Sequence, residues 1–332
     1  MRTLFLGSAA ERSGKSMIAL GLALNHKGKI GYYKPFKEKL IGEEDSVVDQ
    51  DAFLMRRALD LPFTEDELCP FFYDILKPVT MEDVKGGFEK VRCKCETMLV
   101  EGTRDITTGY VNDLSGMAIA QSLQAEIVLI STARPEDMER VAMLAKLIEG
   151  YSTRLRGVIL NQAPDESMAK LLRSKGINVI GNIPPLEKLK RFNVEEIKDA
   201  LDAEVVVAED QLGREVRRVM VGAMMPETAL SIMRRYADKA IITGGDRVDI
   251  QMAALSTDTS CLVLTGGLYP DGQVISRAYE ARVPILVTRH DTLEATERIE
   301  HLNARIDPED KNEMALIKRT VKEHVDLDAV YQ

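Results

Sequence analysis

Near the start of the chain stands Gly7-Ser-Ala-Ala-Glu-Arg-Ser-Gly-Lys-Ser16, and these residue types suit the holding of a phosphate chain. Gly14 has no Cβ, so backbone N–H groups beside it can approach phosphate oxygens closely. The helix expected after it begins with unpaired N–H donors and the positive end of its dipole. Lys15 is placed to reach β- and γ-phosphates, and the Ser16 hydroxyl suits a Mg²⁺ ion. The form G-x-x-x-x-G-K-S would put its first glycine at position 9, which is Ala9, while Gly7 lies further upstream. The loop is therefore a variant with a different bend. Gly7, Ser13, Gly14, Lys15 and Ser16 are its expected nucleotide contacts.

Such a loop needs a buried strand before it and a helix after it. Residues 3–6 are an apolar run and residues 16–24 have helical spacing, so both are present. Further strands are expected at 29–33, 97–100, 126–131, 157–160 and 178–180. Helices are expected at 51–59, 81–96, 115–123, 136–149 and 166–174. Strands alternating with helices predict an α/β fold with a parallel sheet covered on both faces. Pro184-Pro185 and a charged stretch, 187–196, punctuate the chain. A second α/β rhythm starts near Gly213, with strands at 218–221, 240–243, 262–265 and 285–288. Helices are expected between them, then at 293–302 and 311–323. The boundary falls at about 200–212, giving a nucleotide-binding domain over 1–205 and a smaller α/β domain over 206–332.

The second half carries an echo. Ile242-Thr-Gly-Gly245 and Leu264-Thr-Gly-Gly267 recur 22 residues apart, each after an apolar strand and before a helix. Gly244, Gly245, Gly266 and Gly267 could form N–H nests for an anion. Asp246 and Arg247 follow the first turn and could grip a ribose or phosphate. The same glycines equally serve tight strand-to-helix turns. Met224-Met225 at a strand end reads as core filler or as an apolar contact surface.

The first half resembles the dethiobiotin synthetase family. After the G-K-S loop come Gly31-Tyr-Tyr-Lys-Pro35, Asp51-Ala-Phe-Leu54, Leu99-Val-Glu-Gly102, Gly157-Val-Ile-Leu-Asn161 and Val179-Ile-Gly-Asn-Ile-Pro184. These are similar to that family's motifs, in its order, over residues 1 to about 190. The resemblance implies that Ser16, Asp51 and Glu101 gather around Mg²⁺, an ion that takes oxygen ligands and phosphate. It implies that Lys15 binds phosphate, Lys34 faces the phosphoryl or carboxylate end of a substrate, and Asn161 meets the adenine. Asp51 also lies among Glu43, Glu44, Asp45 and Asp49, where it reads also as a solvated charge. Lys34 reads also as a surface lysine and Asn161 as a turn residue. Glu101 is more telling, because strand C-termini face the ligand crevice. One departure matters: the family follows Glu-Gly with Ala-Gly-Gly, and this chain has Thr103-Arg-Asp-Ile. No lysine stands near Ala10, which sets the loop apart from dimer-switching ATPases of the ParA or MinD type.

The second half resembles the DRTGG domain through residues 217–222, Thr243-Gly-Gly-Asp-Arg247, Leu264-Thr-Gly-Gly-Leu268 and Asp291-Thr292. Together the halves are similar to the amino-terminal part of long bacterial phosphate acetyltransferases, and the chain reads as that regulatory part without the catalytic domain.

Bulk properties narrow the classes. The formal charge of −9, with both signs mixed, argues against a general nucleic-acid binder. No run of apolar residues is long enough to span a membrane, and no signal segment precedes the first strand, so a cytoplasmic address is expected. Cys93 and Cys95 form a lone C-x-C, without a second pair or a nearby His to complete a metal set. The expected function is an ATP- and Mg²⁺-binding regulatory protein with a metabolite-sensing second domain. Its expected partners are a small-molecule effector, an enzyme of acetyl metabolism and, by analogy, a second copy of the chain. The alternative is an ATP-dependent ligase or amidotransferase-like enzyme that phosphorylates a carboxylate or carbamate, with Lys15 and Lys34 as its catalytic residues.

Overall fold

The computed structural model describes residues 1–41, 47–92, 95–186, 192–300, 302 and 306–332. Glu43, Glu44, Asp45, Cys93 and much of the charged stretch 187–196 lie outside the described residues. The chain divides into two compact units, Met1–Leu186 with Ile306–Gln332, and Glu187–Arg305.

The first unit is built on six parallel strands: β1 (Arg2–Ser8), β2 (Ile30–Tyr33), β3 (Thr97–Glu101), β4 (Glu126–Thr132), β5 (Leu155–Asn161) and β6 (Val179–Asn182). Their order is β6-β5-β4-β1-β3-β2. Every residue of β3 is buried, as expected of a strand covered on both faces. Strand order reverses beside β1, and in open α/β sheets the crevice at that switch point, outside the strand C-termini, takes ligands.

Local signals set the helices around the sheet. Asp49 caps helix Gln50–Leu59, accepting from the amides of Asp51 and Ala52. A capping box of Thr80 and Asp83 starts helix Met81–Val91. That helix ends before the expected residue 96, with Arg92 as its C-cap. Two short pairings were not expected from the sequence. Phe36–Lys37 runs parallel to Phe71–Phe72, and Leu40–Ile41 pairs antiparallel with Val48–Asp49. The second pairing folds the chain back, so that Asp49 returns beside Lys34.

The two compact units divide the chain differently from the expected 1–205 and 206–332. Residues 311–331 join the first unit. Helix Lys311–His324 packs on helix Lys15–Asn25 so closely that a Cβ on Gly21 would collide with Val321. Beyond it, the Asp326 amide donates to Ile180 O at 2.8 Å. The Arg2 guanidinium donates to Tyr331 O and, at 2.7 Å, to Gln332 O. At the other end, helix Val194–Ala200 and strand β7 (Glu204–Val207) belong to the second unit.

Among the described residues, the second unit has a five-stranded sheet in the order β7-β11-β10-β9-β8 and a short antiparallel pairing of Phe192–Asn193 with Glu215–Val216. The remaining four are β8 (Arg218–Val221), β9 (Lys239–Gly244), β10 (Thr259–Thr265) and β11 (Ile285–Val287). β7 runs antiparallel to β11 and the other neighbours are parallel. Alternate residues feed two cores: Ile241, Leu262 and Ile285 on one face, Ile242, Val263 and Leu286 on the other. Among the described residues, no helix is long and apolar enough to cross a membrane.

Candidate functional site

The turn after β1 is shaped by its own polar atoms. Ser13 Oγ donates to Ser8 Oγ at 3.0 Å, and Asn161 Nδ2, at the end of β5, donates to Ser13 O at 2.9 Å. The Ala9 amide donates to Ile130 O at 2.8 Å. Gly14 then adopts φ +81°, a left-handed conformation, and a Cβ there would collide with Asn161 Nδ2. Helix Lys15–Asn25 follows with no side-chain cap, so among the described residues no cap side chain accepts from the amides of its first turn. Gly7 lies within β1 opposite Leu129 rather than in the turn. There it makes room for Ile106, which a Cβ would meet at 2.7 Å.

Beside this helix end the strands deliver charge. Glu101, the last residue of β3, is fully buried. Its Oε1 accepts from Ser16 Oγ at 2.8 Å and lies 3.5 Å from Lys15 Nζ. Its Oε2 accepts from Tyr32 OH at 2.8 Å. Burial, then the charge of Asp51, pushes the Glu101 carboxyl up, against the pull of Lys15 and Lys34. Burial and Glu101 also raise the Tyr32 hydroxyl well above its ordinary value, so it remains a donor.

Lys34, directly after β2, is fully buried. Its Nζ donates to Asp49 Oδ1 and Oδ2 at 3.2 and 3.0 Å and to Asp51 Oδ2 at 2.6 Å. Glu38 Oε2 lies 3.5 Å away. Burial alone would lower this lysine, yet Asp51, Asp49, Glu101 and Glu38 hold it well above the ordinary lysine value. Burial likewise opposes the charge on Asp51, while Lys34, Lys39 and Lys15 keep it well below the usual carboxylate range. Glu38 Oε2 also lies 4.0 Å from Lys15 Nζ, and among the described residues its buried Oε1 accepts no hydrogen bond.

The structure thus brings Lys15, Ser16, Lys34, Asp51 and Glu101 into one connected set, with Asn161 bracing the turn. Four carboxylates, Glu38, Asp49, Asp51 and Glu101, face the two ammonium groups of Lys15 and Lys34. The surplus is negative, the donors are hard oxygens, and one buried carboxylate oxygen lacks a partner among the described residues. These features fit a small hard dication. Among the described residues, no three His, Cys, Asp or Glu side chains already stand as a metal-holding group. Ser16, Asp51 and Glu101 would hold the ion with solvent, a pattern usual for Mg²⁺.

Asp49, Glu38 and Tyr32 were not singled out by the sequence. Asp49 had a usable signal, an Asp just before a helical run, which marks an N-cap. Tyr32 reads as an ordinary core aromatic, and nothing marks Glu38. The segment 103–106, which departs from the synthetase pattern, folds into a turn held by Asp105. Its Oδ1 accepts from the amides of Thr107 at 2.7 Å and Thr108 at 3.0 Å. An open depression lined by Met1, Arg2, Thr3, Gln124 and Glu126 lies by the N-terminal end of β1, away from this chemistry.

In the second unit the Gly-Gly turns are closed on themselves. The Gly266 and Gly267 amides, at φ +79° and +67°, donate to His290 O and Thr288 O at 2.9 and 2.8 Å. The Gly245 amide donates to Thr265 O at 3.4 Å. Gln251, fully buried, donates through Nε2 to Gly244 O and Gly245 O, each at 3.0 Å. Asp246 is exposed, and Arg247 grips Asp249 at 3.0 and 3.2 Å and Met224 O at 3.1 Å. Three of the proposed nest amides therefore hold the sheet end together.

Comparison with known proteins follows the same division. A family model described as an AAA domain matches residues 2–193, and one described as a DRTGG domain matches residues 196–302. The phosphate acetyltransferase of Pseudomonas putida is 25% identical over 367 residues, covering 100% of this chain and 52% of its own length. The chain therefore spans about half the length of such relatives. The ATP-dependent dethiobiotin synthetase BioD of Bacillus licheniformis is 25% identical over 237 residues, covering 65% of this chain and 100% of its own length. A solved structure of the CBS and DRTGG domains of the regulatory region of Clostridium perfringens pyrophosphatase, complexed with the activator diadenosine tetraphosphate, is 20% identical. It covers 50% of this chain and 86% of its own, with a TM-score of 0.30.

Proposed function

The chain belongs to the AAA domain family, and on that premise we propose that its first unit binds ATP with Mg²⁺ as part of a regulatory protein. The observation that carries this reading is the buried charge set at an uncapped helix N-terminus. Amides of the Ser8–Gly14 turn and the Lys15 ammonium hold the β- and γ-phosphates. Ser16, Asp51 and Glu101 hold the metal, which neutralises phosphate charge when bound. Asn161 lies on the adenine side. The second unit senses a small-molecule effector, with the exposed Asp246 and the Arg247 guanidinium as its contacts. The regulated partner is an enzyme of acetyl phosphate or acetyl-CoA chemistry, a reading supported by similarity along half of a phosphate acetyltransferase. A homodimer and a cytoplasmic location complete the proposal; Cys69 and Cys261 are buried free thiols, as suits a reducing compartment.

Calorimetry with ATP and Mg²⁺ tests the binding step. Lys15→Ala is expected to weaken affinity on the order of 100-fold, the worth of charge-assisted phosphate contacts. A wild-type protein that takes up no ATP overturns the reading. Affinity capture that recovers no acetyl-metabolism enzyme, with no effect on such an enzyme's kinetics, removes the partner.

One observation favours a second reading, an ATP-dependent ligase: a complete synthetase aligns within this chain. Lys15 and Lys34 would then be catalytic, stabilising charge on a transferring phosphoryl group. ADP release across panels of carboxylic acids and amines separates the two readings. Tight ATP binding with no turnover keeps the first.

A further inference from the structure

We propose that Asp49 is the positioning residue of this site, holding Lys34 in place so that Asp51 can exchange Lys34 for the metal. The inference rests on the ATP·Mg²⁺ reading above and adds a residue and a coupling to it.

Asp49 and Asp51 share one ammonium group but are held differently. Asp49 is fully buried. Its Oδ1 accepts from the Asp51 and Ala52 amides at 3.0 and 3.1 Å, and its Oδ2 accepts from the Glu38 amide at 2.9 Å. Both oxygens also accept from Lys34 Nζ. Three backbone donors from two chain segments therefore fix this carboxylate, and it cannot turn towards a ligand without breaking them. Among the described residues Asp51 has no such tether: its side chain accepts from Lys34 Nζ at 2.6 Å. It is the carboxylate that can rotate.

The asymmetry has a consequence for binding. A metal ion that takes Asp51 removes one acceptor from a fully buried ammonium group. A buried cation left without a partner is heavily penalised. Asp49 prevents that outcome by keeping Lys34 paired throughout. The Lys34 N–H freed from Asp51 is then available to donate to an anion at the Gly14 turn. Metal and phosphate thus reinforce one another through Lys34, and such coupling is reciprocal.

Asp49→Asn separates this role from helix capping. Asparagine caps a helix about as well as aspartate and keeps an acceptor for the Asp51 and Ala52 amides, but it removes the charge that retains Lys34. Mg²⁺ titrated alone into the wild-type protein and the variant gives the first readout. The variant is expected to bind Mg²⁺ about 10- to 100-fold more weakly, the usual effect of losing a partner behind a metal ligand. The factor by which Mg²⁺ tightens ATP should fall towards one.

The double variant Asp49→Asn/Lys34→Met gives the decisive contrast. With no ammonium competing for Asp51, Mg²⁺ affinity should recover at least tenfold relative to the single variant. A merely structural role for Asp49 would show no recovery. A folded Asp49→Asn protein with wild-type Mg²⁺ affinity overturns the proposal while leaving ATP binding intact. A wild-type protein that binds Mg²⁺ in an Asp49-dependent way but no ATP overturns the nucleotide reading alone. A wild-type protein that binds neither overturns both.

Discussion

In the first unit, the turn after β1 leads into a helix with no side-chain cap, and buried carboxylates and lysines collect beside it. In the second unit, the turns after β9 and β10 have comparable glycines, yet their Gly245, Gly266 and Gly267 amides donate to nearby carbonyls. Gln251 completes that closure from below. Both units also bury a lysine completely, Lys34 and Lys239. Lys34 faces carboxylates, whereas Lys239 donates to the carbonyls of Tyr236 and Asp258. Glycine at a strand end therefore marks a tight turn in either unit. What separates them is the destination of the amides and the company of the buried charge.

The sharpest test of that contrast removes the two lysines. Lys34→Met leaves Asp49 and Asp51 without their cation and should destabilise the first unit by about 3–5 kcal/mol. Lys239→Met leaves two carbonyls short of a donor and should cost the second unit about 1–3 kcal/mol. Urea unfolding, followed by trapping the buried Cys69 and Cys261 thiols as reporters of the two units, measures both; equal losses would break the contrast.

A smaller effect is expected from the glycines. Gly14 and Gly266 have nearly the same left-handed φ, +81° and +79°. Alanine at either adds about 1–2 kcal/mol of backbone strain. At Gly14 it also displaces Asn161, whereas among the described residues nothing lies within 4 Å of a Cβ at Gly266. Unfolding midpoints should therefore fall further for Gly14→Ala, and ATP affinity should fall in that variant only.

The smallest effect is a difference in alkaline response. The folded-state pKa of Lys34 is raised by its carboxylates, so its stabilising contribution is complete below the ordinary lysine value of 10.5. That contribution is lost as pH rises through the higher folded value. Burial lowers Lys239, so its contribution is complete above 10.5 and is lost as pH falls through the lower folded value. Between neutrality and pH 10.5 the second unit should gain stability from Lys239, while the first gains nothing from Lys34. Each slope is at most about 1.4 kcal/mol per pH unit, and the two thiol reporters followed across that range would record it.

Much of this arrangement was legible in the sequence because periodicity and loop chemistry agreed. The apolar run before Gly7, the G-K-S segment and the acid after the Met98–Val100 run placed β1, the turn and β3 correctly. Lys34 and Asp51 were expected near the ligand, though not against each other. That pairing depends on the Leu40–Ile41 and Val48–Asp49 hairpin, whose strands are too short to leave a periodic signal. Strand β7 was hidden because Glu204-Val-Val-Val207 fell inside the region read as a boundary. Helix Lys311–His324 was legible as a helix but not in its position. Its one clue lay three hundred residues away (Gly21, a helix-interior glycine).

That return of residues 311–331 to the first unit has a consequence for how the protein is made. A ribosome delivers the chain from its N-terminal end, and residues 187–305 emerge before the helix that covers Gly21. The first unit must therefore wait, with part of its surface uncovered, while the whole of the second unit is synthesised. Exposed apolar surface on a partly made domain invites misassociation. The Gly21 face of helix Lys15–Asn25 thus stays uncovered until residues 311–324 have been made.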